Sequence, residues 1–78
     1  MPHLVLKMKP GRSDAVKAEL AQALTQALVA TIGVPEKAVS IAIEEIAPDD
    51  WMPKVYEPEI AGKAGTLVKK PGYGSLAK

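Results

Sequence analysis

A small α/β (α+β) subunit is predicted: one β-α-β unit with parallel strands, a short C-terminal helix and a sheet extended by dimerisation. Three observations predict it. An N-terminal run alternates apolar and polar residues, a long stripe of leucines recurs every four residues, and a second alternating run follows a glycine–proline break. Strand, helix, strand at this length calls for parallel strands joined by a right-handed crossover.

The first strand covers Pro2 to Lys9, with Leu4, Leu6 and Met8 on one face and His3, Val5, Lys7 and Lys9 on the other. Pro10-Gly11 stops it. Ser13 is the N-cap of the helix, and Asp14 places a negative charge in its first turn, where the dipole favours it. Val16, Leu20, Leu24, Leu28 and Ile32 then form one stripe, flanked by Ala23, Ala27 and Thr31. Gly33 fits the C′ position, and Pro35 lies where a helix cannot continue. The second strand runs from Val39 to Ile46, so its adjacent Glu44 and Glu45 point to opposite faces. Pro48 to Trp51 reads as a turn or a short helical start. Ile60, Ala64, Leu67 and Val68 are helically spaced and predict a second, short helix between Pro58 and Pro71, with Lys69-Lys70 as its solvated end. Pro71 to Gly74 is expected to be an exposed arm or a clasp on a neighbour.

The chain has 78 residues, 47% of them hydrophobic and 24% charged, which fits one folded domain spanning residues 1–78. A domain this small is marginal by itself and leans on disulfides, a metal or association. With Cys 0 and a single histidine, His3, association is the expected support, and no metal site is expected. Two short strands also leave edges that a second copy can extend. A net charge of +1 and only three aromatic residues argue against a nucleic-acid partner. The longest apolar run, Ala27 to Ala30, is far too short for a membrane span or a signal-peptide core, and the expected location is cytoplasmic.

Several chemistries find no residues to carry them. A single glycine in Pro10-Gly11-Arg12 makes no phosphate loop, there is no thiol, and the serines have only His3 as a base. Pro2 offers something else. A small second residue permits removal of Met1, and the freed prolyl amine would be a base that needs no side chain. α-Amino groups titrate near ~8, and a general base works best near the operating pH.

Pro2 opening a short strand, Gly11-Arg12-Ser13-Asp14 opening a long helix, and a strand from Val39 to Ile46 closing on Trp51 together resemble the 4-oxalocrotonate tautomerase family. The segment from Ala64 to Tyr73 resembles its longer bacterial subgroup with phenylpyruvate enol–keto tautomerase activity. The resemblance implies a cofactor-free isomerase in which Pro2 is the general base, Arg12 binds a substrate carboxylate, and Trp51 forms an aromatic wall that keeps water away. The family's second arginine falls at Ser40, which therefore belongs to the substrate site but carries no charge. A monocarboxylic 2-oxo acid or enol such as phenylpyruvate is implied in preference to a dicarboxylate. The longer C-terminal segment implies a homodimer in preference to a hexamer. His3 is expected at a surface or an interface. Two alternatives stand beside this reading: decarboxylation, hydration or dehalogenation of a small acid by the same proline, and a non-catalytic oligomeric binding module.

Overall fold

The computed structural model describes residues 1–77 and forms two compact units, Met1–Ile46 and the remainder from Ala47. In the first unit, β1 (His3–Met8) leads through a turn into α1 (Asp14–Ile32), a 3₁₀ turn at Glu36–Ala38 and β2 (Ser40–Glu45). The strands are parallel, with His3 opposite Ser40 and Met8 opposite Glu45. The ladder is carried one step past each end: the Ser40 N–H donates to the Pro2 carbonyl at 3.2 Å, and the Ile46 N–H to the Met8 carbonyl at 2.8 Å. Each strand lies inside the predicted run and is slightly shorter, because pairing ends where the partner strand ends.

The two-residue period sorts the side chains. Leu4, Leu6, Ile41 and Ile43 share one face, while His3, Val5, Lys7, Ser40, Ala42 and Glu44 share the other. The two glutamates divide as the alternation requires. Glu44 lies 3.9 Å from Lys7 across the ladder, and Glu45 reaches Lys17 of α1 at 3.2 Å.

Helix α1 begins and ends where its caps dictate. The Ser13 hydroxyl accepts the Val16 N–H at 3.2 Å, and the Gly33 N–H closes on the Val29 carbonyl at 3.1 Å. Gly11, at φ 127°, lets the chain leave β1 and reverse toward α1 through a conformation that other residues avoid. The half-buried face of α1 is centred on Lys17, Ala21, Leu24, Thr25 and Leu28, with the Thr25 hydroxyl satisfied by the Ala21 carbonyl at 2.8 Å. The predicted stripe is therefore rotated. Its end members Val16 and Ile32 stand 48% and 58% exposed, and no side chain of this unit is fully buried.

The second unit departs most from expectation. One turn of α-helix, α2 (Pro48–Asp50), runs directly into a π-helical stretch at Trp51–Ala61. The helix predicted between Pro58 and Pro71 is not there; that interval holds the last residues of the π-helical stretch, to Ala61, and the 3₁₀ turn Ala64–Thr66. Proline chemistry accounts for the displacement. Pro48, Pro53 and Pro58 recur every five residues, the hydrogen-bond step of a π-helix, so the N–H groups missing at Pro53 and Pro58 are those that would pair with the carbonyl of the preceding proline. An α-helix would instead push each ring into the carbonyl four residues back. The stretch ends at Gly62, whose N–H meets the Glu57 carbonyl at 2.8 Å and where an added Cβ would lie 2.7 Å from the Pro58 carbonyl oxygen. Beyond it Leu67 is extended, so Lys69 and Lys70 cap no helix. Val55 and Tyr56, both in this unit, are the buried side chains among the described residues, and Tyr56 is fully so.

Candidate active site

Pro2 is half-buried at the head of β1, tied to β2 through its carbonyl, with Met1 wholly in solvent at 103% relative exposure. While Met1 is attached the Pro2 nitrogen is an amide without a basic lone pair; its removal leaves a secondary amine at the strand end. Beside it, the register pairs His3 with Ser40, and His3 Nδ1 lies 2.6 Å from the Ser40 hydroxyl. Ser40 and Pro2 thus share one end of the sheet. His3 is exposed, as expected of a surface position.

Arg12 does not join them. It follows the opposite end of β1, where its guanidinium donates to the Lys9 carbonyl at 3.4 Å. Seven residues of extended chain between Pro2 and Lys9 span roughly 23 Å. One small acid cannot touch the Pro2 nitrogen and the Arg12 guanidinium of the same copy. Arg12 is exposed, and this single long hydrogen bond leaves most of its planar fork open to a carboxylate.

Trp51 lies in the second unit and is half-buried. Its indole N–H donates to the Tyr73 hydroxyl at 2.8 Å. The segment expected as an exposed arm or a clasp on a neighbour is largely exposed, yet it folds onto its own chain. Tyr73 is 5.2 Å from Tyr56 between ring centroids, with the rings tilted by 50°. The Tyr56 hydroxyl donates to the Tyr73 carbonyl at 3.1 Å and accepts the Leu76 N–H at 3.0 Å. Sequence reasoning missed Tyr56 altogether. No periodicity marks it, and its partners lie 17 and 20 residues further along the chain. The clearest local signal is Gly74, which sits at φ 71° directly over the Tyr56 ring, where any Cβ would collide with it.

Among the described residues no group of three or more His, Cys, Asp or Glu is arranged to hold a metal ion, and no helix is long and apolar enough to cross a membrane.

Residues 2–57 match the family model described as a tautomerase enzyme. A probable tautomerase of Xylella fastidiosa is 43% identical over 77 residues, covering 99% of this chain and 94% of that protein. Tautomerase PptA of Cronobacter sakazakii is 42% identical over 74 residues, covering 94% of this chain and 97% of the relative. The crystal structure of TomN, a 4-oxalocrotonate tautomerase homologue in the tomaymycin biosynthetic pathway, aligns with a TM-score of 0.62 at 38% identity. That alignment covers 64% of this chain and 77% of TomN.

Proposed function

The chain belongs to the tautomerase family and is an isomerase; from that premise we propose that it interconverts the enol and keto forms of a small monocarboxylic 2-oxo acid such as phenylpyruvate, with the Pro2 amine as general base. The observation that carries this reading is that the family match begins at residue 2, on a half-buried proline heading β1. The exposure of Met1 supports it, since a processing aminopeptidase needs that residue in reach.

In this mechanism the freed amine takes a proton from the enol oxygen or the α-carbon and returns it across the allylic system. Arg12 receives the carboxylate on its open fork and draws electron density toward the carbonyl end as the enolate develops. Trp51 walls off the apolar end of the substrate. Ser40 lines the site without charge, its hydroxyl engaged with His3, which favours a substrate with one carboxylate. Proton transfer is shared between substrate and amine, and no cofactor takes part. Both units belong to one catalytic domain, and the family match crosses the boundary between them.

The working form is a homodimer, in preference to a hexamer, in the cytoplasm. Three features support association: no side chain of Met1–Ile46 is fully buried, both outer sheet edges are unpaired, and Val16, Leu20 and Ala23 leave an apolar flank of α1 open. The separation of Pro2 from Arg12 within one copy adds a functional reason, because Arg12 of a second copy completes the site.

The test is phenylenolpyruvate ketonisation by protein whose intact mass shows loss of Met1, against Pro2→Ala prepared identically. A drop of about 10²-fold or more in kcat/KM is expected for loss of a positioned base. Equal rates, both near that of buffer, would overturn the reading.

A further inference from the structure

The C-terminal segment holds Trp51 by its one polar atom. Tyr73 is fixed at three points. Its ring lies on Tyr56, its carbonyl accepts the Tyr56 hydroxyl, and its own hydroxyl accepts the Trp51 N–H. The Leu76 N–H, bonded to the same Tyr56 hydroxyl, closes the segment behind it. Tyr56 in turn is fully buried, so the anchor does not move with solvent. The bond from Trp51 to Tyr73 joins residues 22 apart in sequence and restricts the indole to orientations that keep Nε1 at the phenol oxygen.

We propose that Tyr73 is a positioning residue for the isomerase, orienting the Trp51 ring and thereby setting the affinity for substrates with an aromatic end. The bond lies open to solvent, so without the phenol oxygen the indole N–H pairs with water and nothing holds the ring in one orientation. The wall then no longer stands pre-formed, and the substrate must order it on binding. The loss therefore falls on KM for an aromatic substrate. This inference rests on the reading of Trp51 as the wall of the site.

The chain contains a single tryptophan, so its emission reports on this one side chain. Tyr73→Phe keeps the ring against Tyr56 and removes only the acceptor. The variant is expected to show shifted Trp51 emission and easier quenching by acrylamide. Its KM for phenylenolpyruvate should rise about three- to tenfold, the worth of one net hydrogen bond, with kcat within about twofold. In a Trp51→Phe background the same change should add nothing, since the donor is gone. Unaltered emission and KM in Tyr73→Phe would overturn the role of Tyr73 while leaving a functioning tautomerase. An undiminished Tyr73→Phe effect in the Trp51→Phe background would overturn it too, because Tyr73 would then act by another route. Absence of ketonisation by the Met1-free wild type is a separate result: it removes the tautomerase reading and this role with it, even if the emission shifts.

Discussion

The two units of this chain reach order by opposite means. Met1–Ile46 has regular elements throughout, with a capped helix and an in-register parallel ladder, yet it encloses no fully buried side chain. The unit that begins at Ala47 has no strand and no α-helix longer than one turn among its described residues, yet it contains both buried side chains, Val55 and Tyr56, and a web of side-chain hydrogen bonds around Tyr73. A helix completes its backbone bonds within itself and a two-stranded ladder needs one partner strand, whereas a core needs surfaces from several directions. The first unit therefore has its secondary structure settled and its tertiary burial still open to a partner. The second is closed on a few specific contacts, each of which matters more.

The largest effect that separates the two concerns activity. Pro2→Ala and Arg12→Ala proteins should each be nearly inactive alone. If the first unit is completed by a second copy, unfolding and refolding them together as an equal mixture should restore about a quarter of the wild-type ketonisation rate, since half the dimers are mixed and each carries one intact site. No recovery would place both groups in one copy, against the length of β1.

Next is Tyr56→Ala. It removes a side chain with no exposure and should cost about 3–5 kcal/mol by denaturant titration, independent of protein concentration. Stability of the first unit should by contrast rise with concentration, as burial by association requires. Equal concentration dependence for both units would dissolve the distinction.

A smaller loss is expected from Gly74→Ala, about 1–2 kcal/mol from the left-handed backbone alone, with collision against Tyr56 in addition. The same variant should shift Trp51 emission, because the turn that presents Tyr73 is disturbed. Smallest is Ser13→Ala, which deletes the N-cap of α1 and should cost about 1 kcal/mol with Trp51 emission unchanged. A change in emission there would show that the two units do not respond independently.

The residues of the first unit were legible because their signals are local. Ser13, Gly33 and the alternation around Leu4 and Ile41 each act within a few residues, and the caps and parallel strands lie where they point. Even there the helix stripe was misjudged at its ends, since exposure of Val16 and Ile32 depends on what the sheet is wide enough to cover. In the second unit, helical spacing of Ile60, Ala64, Leu67 and Val68 misled, because prolines five residues apart suit a wider helix that periodicity at 3.6 does not detect. In the candidate site, Pro2, Arg12, Ser40 and Trp51 are legible in the sequence. Tyr56 and the intrachain contacts of Tyr73 are not, because they depend on partners 17 to 22 residues away.

The sequence by itself determined the strand–helix–strand order, the caps, and the family to which the chain belongs, because each follows from nearest-neighbour chemistry or from a pattern carried along the whole chain. Only the tertiary structure decided that Pro2 meets Ser40 but stands a strand's length from Arg12, and that Tyr73, though exposed, folds back to hold Trp51. Those contacts join residues 22 to 38 positions apart or are refused to residues only ten apart, and their energy resides in burial and hydrogen bonds that exist only once the chain has folded.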